Sequence, residues 1–122
     1  MKHITFILNL KLKGNINEVE TFIRDLSVPY TSQCDESGTK SFEWYLNKQE
    51  NKAMLLESFL DSDSATLRVK NLINSPINEA FQDLFEVINL TVLGKAELSL
   101  IQILEGWDPV YLSYIDGFNK HI

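Results

Sequence analysis

In 122 residues the chain has one cysteine, two histidines and five glycines, and each scarcity removes a class of chemistry. Cys34 alone can form neither an internal disulfide nor a metal site. Asp35 and Glu36 beside it disfavour a thiolate, so it reads as a small apolar residue and not as a nucleophile. The histidines, His3 and His121, stand at opposite ends of the chain, and no HxxxH or CxxC spacing occurs, so no metal site is expected. A Ser-His-Asp site would have to draw its histidine from a terminus. The glycines form no GxSxG elbow, phosphate loop or dinucleotide fingerprint. Basic residues number 11 against 17 acidic, a net charge of -6 with no basic stripe, which excludes a nucleic-acid grip built on clustered Lys and Arg. No apolar run is long enough to cross a bilayer, and Met1-Lys2-His3 leads into alternation instead of a signal-peptide core. The expectation is a cytoplasmic protein without membrane contact.

With 44% hydrophobic and 23% charged residues, the composition and length suit a single domain over residues 1–122, large enough to bury a core unaided. Ile4, Phe6, Leu8, Leu10 and Leu12 alternate with His3, Thr5, Asn9 and Lys11, the period-two pattern of a strand with one apolar face. After a turn at Gly14-Asn15, with Asn15 or Asn17 as cap, Val19, Phe22, Ile23, Leu26 and Tyr30 recur at helical spacing, and Pro29 predicts a kink or a new turn after Ser27. The polar stretch Asp35–Thr39 ends the helix. Phe42–Leu46 and Leu55–Leu60, flanking the wholly polar Asn47–Lys52, read as a β-hairpin with a long solvated loop. Asp61-Ser62-Asp63 starts a helix with Ala65, Val69, Leu72 and Ile73 on its buried side, and Ser75-Pro76 starts another bearing Ile77, Ala80, Phe81, Leu84 and Phe85. Ile88–Leu93 is a fourth strand closed by Gly94. A short helix with Leu98, Ile101 and Leu104 and a fifth strand, Val110–Ile115, follow.

This order predicts an α+β fold of the ferredoxin-like split βαβ kind: an antiparallel sheet with helices on one face, plus a C-terminal helix and strand. Both strand faces carry bulky apolar groups, since alternation sends neighbours such as Trp44 and Tyr45 opposite ways. The uncovered face marks an association surface, and two such sheets packed face to face make a homodimer.

Three residues are costly to place at random. Trp44 sits in a hairpin strand, where core packing is the ordinary role and a pocket wall the functional one. Glu57, among Leu55, Leu56, Phe59 and Leu60, needs a partner or a raised pKa. It is either a structural ion-pair or dimer contact or a general base, and whether it shares a face with Trp44 depends on the hairpin register. Arg68, next to the apolar stripe of its helix, is by default a surface residue with a buried stem, yet it is within reach of Glu57. Phe22, Phe81 and Phe85 read as core, or as walls of a cavity between helices and sheet.

The stretch Gly38–Asn71, GTKSFEWYLNKQENKAMLLESFLDSDSATLRVKN, resembles the antibiotic biosynthesis monooxygenase-like superfamily of dimeric α+β barrels. The shared features are a glycine turn (Gly38), an aromatic-x-Trp strand (Phe42, Trp44), Glu-x-aromatic (Glu57, Phe59), an acidic-Ser turn (Asp61, Ser62) and an alanine-bearing helix (Ala65). Val92-Leu93-Gly94 and Gly117-Phe118 are similar to its C-terminal half. The resemblance implies a homodimer and, in members that are enzymes, oxidation of electron-rich aromatics such as quinols or anthrones by O2 with no cofactor. The deprotonated substrate is then the reductant, while the protein supplies an apolar pocket, a proton acceptor and oxyanion donors. Carried over, Glu57 and Arg68 take the catalytic positions, and Trp44, Tyr45, Phe22, Phe81 and Phe85 hold a hydrophobic aromatic ligand. Many relatives have a histidine where this chain has Arg68, which stays protonated at neutral pH and cannot be a base. A missing internal histidine also disfavours haem ligation. A non-catalytic dimeric binding or structural protein of the same fold is the alternative reading.

Overall fold

The computed structural model describes residues 2–120; His121 lies outside them. Five strands form one sheet in the order β2-β3-β1-β4-β5: β1 Ile4–Leu12, β2 Thr39–Asn47, β3 Lys52–Phe59, β4 Phe85–Leu93 and β5 Val110–Leu112. The first four pair antiparallel, as the split βαβ pattern requires, and β5 adds to the edge of β4 in parallel. Helices α1 (Ile16–Thr21), α2 (Val28–Gln33), α3 (Ser62–Ile73), α4 (Ile77–Leu84) and α5 (Leu98–Ile103) complete the fold. No described helix is long and apolar enough to cross a membrane.

Period two in β1 is realised as read: Ile4, Phe6, Leu10 and Leu12 are buried under the helices. Their layer continues through Phe59, Ala65, Val69, Leu90 and Val92 at one end and Val19, Phe22, Ala53, Leu55 and Phe85 at the other. Asn15 caps α1 by accepting Glu18 N–H at 2.9 Å, and Asp61 caps α3 by accepting Ser64 N–H at 2.8 Å. The Ser64 hydroxyl first, and then this N–H, hold the Asp61 carboxyl below its ordinary pKa, as expected of a carboxylate that accepts hydrogen bonds at a helix start.

Three sequence expectations are corrected. The break expected after Ser27 is present, with α2 starting at Val28, but Leu26 and Tyr30 do not take the buried positions that helical spacing gives them, because Phe22–Ser27 is π-helical, with Val28 N–H bonded to Ile23 O. Pro29 brings no N–H and its ring crowds the carbonyl four residues back, and a widened turn before it relieves both. The extra residue turns the helix face, so Ser27 and Thr31 are buried while Leu26 and Tyr30 face out. Phe85 does not end α4 but opens β4 in extended conformation, paired with Leu12. The fifth strand stops at Leu112 instead of Ile115, because β4 ends at Leu93 and offers no backbone beyond it except Gly94 N–H, which Leu112 O accepts at 2.9 Å.

The opposite sheet face carries Ile7, Leu56 and Leu93, half-buried, with Tyr45, Met54, Ile88 and Leu112 exposed. No helix covers it. At Gly94 the backbone has φ +108°, and a Cβ there would stand 2.5 Å from His3 O. Gly94→Ala is therefore expected to destabilise the fold by about 1–3 kcal/mol, read as a lower urea midpoint with an unchanged m-value.

Candidate functional site

Between the helices and the β2 end of the sheet lies a cavity of about 330 Å³. Its floor is Leu8, Leu55 and Val87; exposed Lys13 and Gln82 mark its mouth. One wall is aromatic. Trp44 stacks on Phe85 (centroids 5.0 Å, 27°) and meets Phe42 edge-on at 6.4 Å and Phe81 at 6.3 Å, contacts near the preferred ring separations. Ser27 and Thr31, turned inward by the π-helical segment, belong to the lining. Ser27 Oγ accepts the Trp44 indole N–H at 3.2 Å, which fixes the plane of the ring.

The hairpin register brings Glu57 to the same cavity. A four-residue turn pairs Phe42 with Glu57 and Trp44 with Leu55, so the carboxyl and the indole share a face. Glu57 is 7% exposed and makes no hydrogen bond or ion pair with the described residues. Since no buried side-chain oxygen is left both sealed and unpartnered among them, its carboxyl opens on the cavity. Burial pushes its pKa up to about 7, against an opposing pull from Arg68 and with a smaller push from Glu36.

Arg68 lines the cavity too, but it is neither a surface residue nor the partner of Glu57. It is 3% exposed, and its Nη1 donates to the Glu36 carboxylate at 3.1 and 3.4 Å. Asn71 Nδ2 donates to the same carboxylate at 2.8 Å. Glu36 reads from sequence as part of a solvated turn; its role depends on a contact 32 residues away, for which no local signal exists. With Arg68 neutralised by Glu36, an ionised Glu57 leaves one uncompensated negative charge in the buried group, and protonation removes it. The Cys34 thiol lies near this pair, and burial, then Glu36, raises its pKa, which keeps it a thiol.

Of the residues singled out from sequence, Glu57, Arg68, Trp44, Phe81 and Phe85 come together around the cavity. Two do not. Tyr45 follows Trp44 by one residue, so it points to the opposite face and is 52% exposed. Phe22 is buried behind the wall, edge-on to Trp44 and Phe85, and supports the ring instead of lining the space. Sequence reasoning missed Ser27, Thr31, Glu36 and Trp107. Only Pro29, which forces the widened turn, signalled any of them. No group of three or more His, Cys, Asp or Glu among the described residues is arranged to hold a metal ion.

No family model matches the chain, and no curated protein matches it by sequence. Solved structures do. MupZ from Pseudomonas fluorescens aligns over 98% of this chain and 96% of its own, at TM-score 0.80 and 15% identity. SnoaB from Streptomyces nogalater, a cofactor-independent oxygenase, aligns over 80% and 96%, at TM-score 0.62 and 12% identity. Rv0793 from Mycobacterium tuberculosis aligns over 78% and 96%, at 0.57 and 15%. The chain has the ferredoxin-like α+β fold that these structures share. At these identities the likeness is one of architecture, and within that architecture this chain sets Arg68, paired to Glu36, beside a Glu57 that has no partner among the described residues.

Two outcomes test the charge arrangement. Glu57 binds its proton more tightly folded (about 7) than unfolded (4.5). Stability therefore falls as pH rises through that window, by about 3 kcal/mol in full. Glu57→Gln abolishes this loss, so the difference between the two proteins in urea midpoint widens from pH 4.5 to 7 and then levels. Glu36→Gln leaves Arg68 buried with half its pairing gone and is expected to cost about 3–5 kcal/mol. It also frees Arg68 to act on Glu57, whose carboxyl titration by NMR then moves to lower pH.

Proposed function

We propose that this protein is a cofactor-independent oxygenase acting on a hydrophobic aromatic with an acidic hydroxyl or enol, of the quinol or anthrone kind. The observation that carries the proposal is Glu57: a carboxyl without a partner among the described residues, opening on an aromatic-walled cavity, with its pKa pushed up to about 7 by burial. A base poised there takes a proton at neutral pH with useful driving force. The ring lies along Trp44, Phe42 and Phe81, its acidic hydrogen toward Glu57. Burial that raises the pKa of Glu57 also makes the carboxylate a stronger base once substrate has displaced water. Arg68, held by Glu36, puts positive charge beside the oxyanion that forms. Proton transfer gives an electron-rich anion, which reduces O2 and forms a C–O bond at a ring carbon. The proton returns from Glu57 as the peroxide breaks down, one oxygen atom staying in the product and the other leaving as water. The known activity of SnoaB as a cofactor-independent oxygenase supports this chemistry on this fold.

The open sheet face supports a homodimer, with Tyr45, Met54 and Ile88 among the apolar groups it exposes. In sedimentation at micromolar concentration the protein is expected at twice its 14.0 kDa chain mass. A persistent monomer would remove the dimer from this proposal.

The decisive measurement is oxygen uptake with a panel of hydroquinones, naphthols and anthrones. Wild-type kcat/KM is expected to rise with pH and level above about 7, as Glu57 ionises, and Glu57→Gln to lose about 10²–10⁴-fold. No uptake above the uncatalysed rate with any of them would refute the oxygenase reading.

A further inference from the structure

A second, smaller space of about 40 Å³ adjoins the cavity, and both spaces are lined by Leu8, Glu57, Arg68, Leu72 and Trp107. What the smaller one adds is wholly apolar: Phe6, Val69, Leu90 and Leu104. It is thus an alcove of the cavity, with Glu57 and Arg68 at the junction of the two, between β1, β4, α3 and the C-terminal segment.

The C-terminal segment that closes it is firmly placed. Leu100 and Leu104 are buried in the core, and Ser62 Oγ, at the start of α3, accepts Glu97 N–H at 2.9 Å. After α5 a short 3-10 turn, Glu105–Trp107, ends at Asp108 in the left-handed conformation (φ 47°), and this turn carries Trp107 to the junction of the two spaces. Both tryptophans of the chain therefore stand on the cavity, Trp44 at the wide end and Trp107 at the narrow one.

A ligand whose acidic oxygen meets Glu57 has its ring in the large space, because the alcove is too small for one. The ring position next to that oxygen then faces the alcove, whose added lining offers a substituent no hydrogen bond. We infer that the substrate bears a short alkyl group of two or three carbons on the carbon adjacent to its acidic hydroxyl, and that the alcove is the subsite that selects it. This inference rests on the placement of the hydroxyl at Glu57 proposed above, and it names the substituent that the oxygenase reading leaves open. Leu104 and Trp107 are then specificity-determining residues.

The test is a homologous series bound to the wild-type protein and followed by tryptophan fluorescence: 1-naphthol and its 2-methyl, 2-ethyl, 2-propyl, 2-butyl and 2-hexyl derivatives. Each methylene that enters an apolar site is worth about 0.8 kcal/mol, or about fourfold in Kd. Affinity is expected to rise about fourfold per carbon to ethyl or propyl, then to fall at butyl and hexyl as the alcove overfills. Leu104→Phe, which adds bulk to the alcove, is expected to move the optimum one or two carbons shorter. Should Leu104→Phe fail to fold, Trp107→Ala is expected to move the optimum longer. A flat series, or a gain that continues to hexyl, would overturn the inference, since the substituent would then lie in water or along the large cavity. Binding and oxygen uptake fail separately. An optimum at ethyl or propyl without uptake sinks the oxygenase and keeps the alcove; uptake with a flat series does the reverse.

Discussion

The buried ion pair between Glu36 and Arg68 is the constraint on which the rest of the site depends. It ties the turn after α2 to the middle of α3, and Asn71, one turn further along, bonds to the same carboxylate. Burying two charges is costly, and a pair of this kind seldom adds net stability over apolar side chains of the same size. Its consequence here is electrostatic. Arg68 would otherwise compensate Glu57, and with Arg68 committed elsewhere the Glu57 carboxyl stays near neutrality in its titration. A single apolar replacement at Glu36 would turn Glu57 from a carboxyl held protonated by burial into half of an ion pair.

The wall of the cavity has a similarly specific origin. Pro29 makes an uninterrupted α-helix unfavourable, and the π-helical segment before it absorbs the conflict. The shifted face brings two hydroxyls, Ser27 and Thr31, where a continuous helix would have presented Leu26 and Tyr30. One of them anchors Trp44. Without that acceptor the indole N–H would be buried unpaired or the ring would turn to find water, and the stack on Phe85 would be lost with it.

Strands were the legible part of the sequence, because a period of two is a property of neighbours and survives any tertiary context. Thus β1 matched its pattern residue for residue, and parity alone places Tyr45 away from Trp44. The helix after β1 was misread where a proline-driven insertion changed its period, and Phe85 was misread because an apolar residue at the end of a helical stripe serves a following strand equally well. Register across the hairpin was not readable, since the polar Asn47–Lys52 stretch fits several turns; four residues in the turn give the pairing that sets Glu57 beside the aromatic wall. Glu36 and Trp107 were invisible for one reason. Each matters through contacts made across the fold, while its sequence neighbours, a polar turn for one and a Gly-Trp-Asp-Pro bend for the other, describe only a loop.

The two faces of the sheet differ in what they carry. Glu57 and the side chains of this chain around it lie on the helix-covered face. The opposite face carries apolar groups but no buried charge, and covering it would remove hydrocarbon from water without touching the Glu57 carboxyl. The two faces are coupled through the strands they share. Of these, β3 matters most: Leu56 on the open face and Glu57 on the covered one are adjacent residues, and a shift in register that improved an interface would carry the carboxyl out of the cavity. The central pairing of β3 between β1 and β2, eight aligned positions on the β1 side, is what fixes Glu57 on the covered face and Leu56 on the open one.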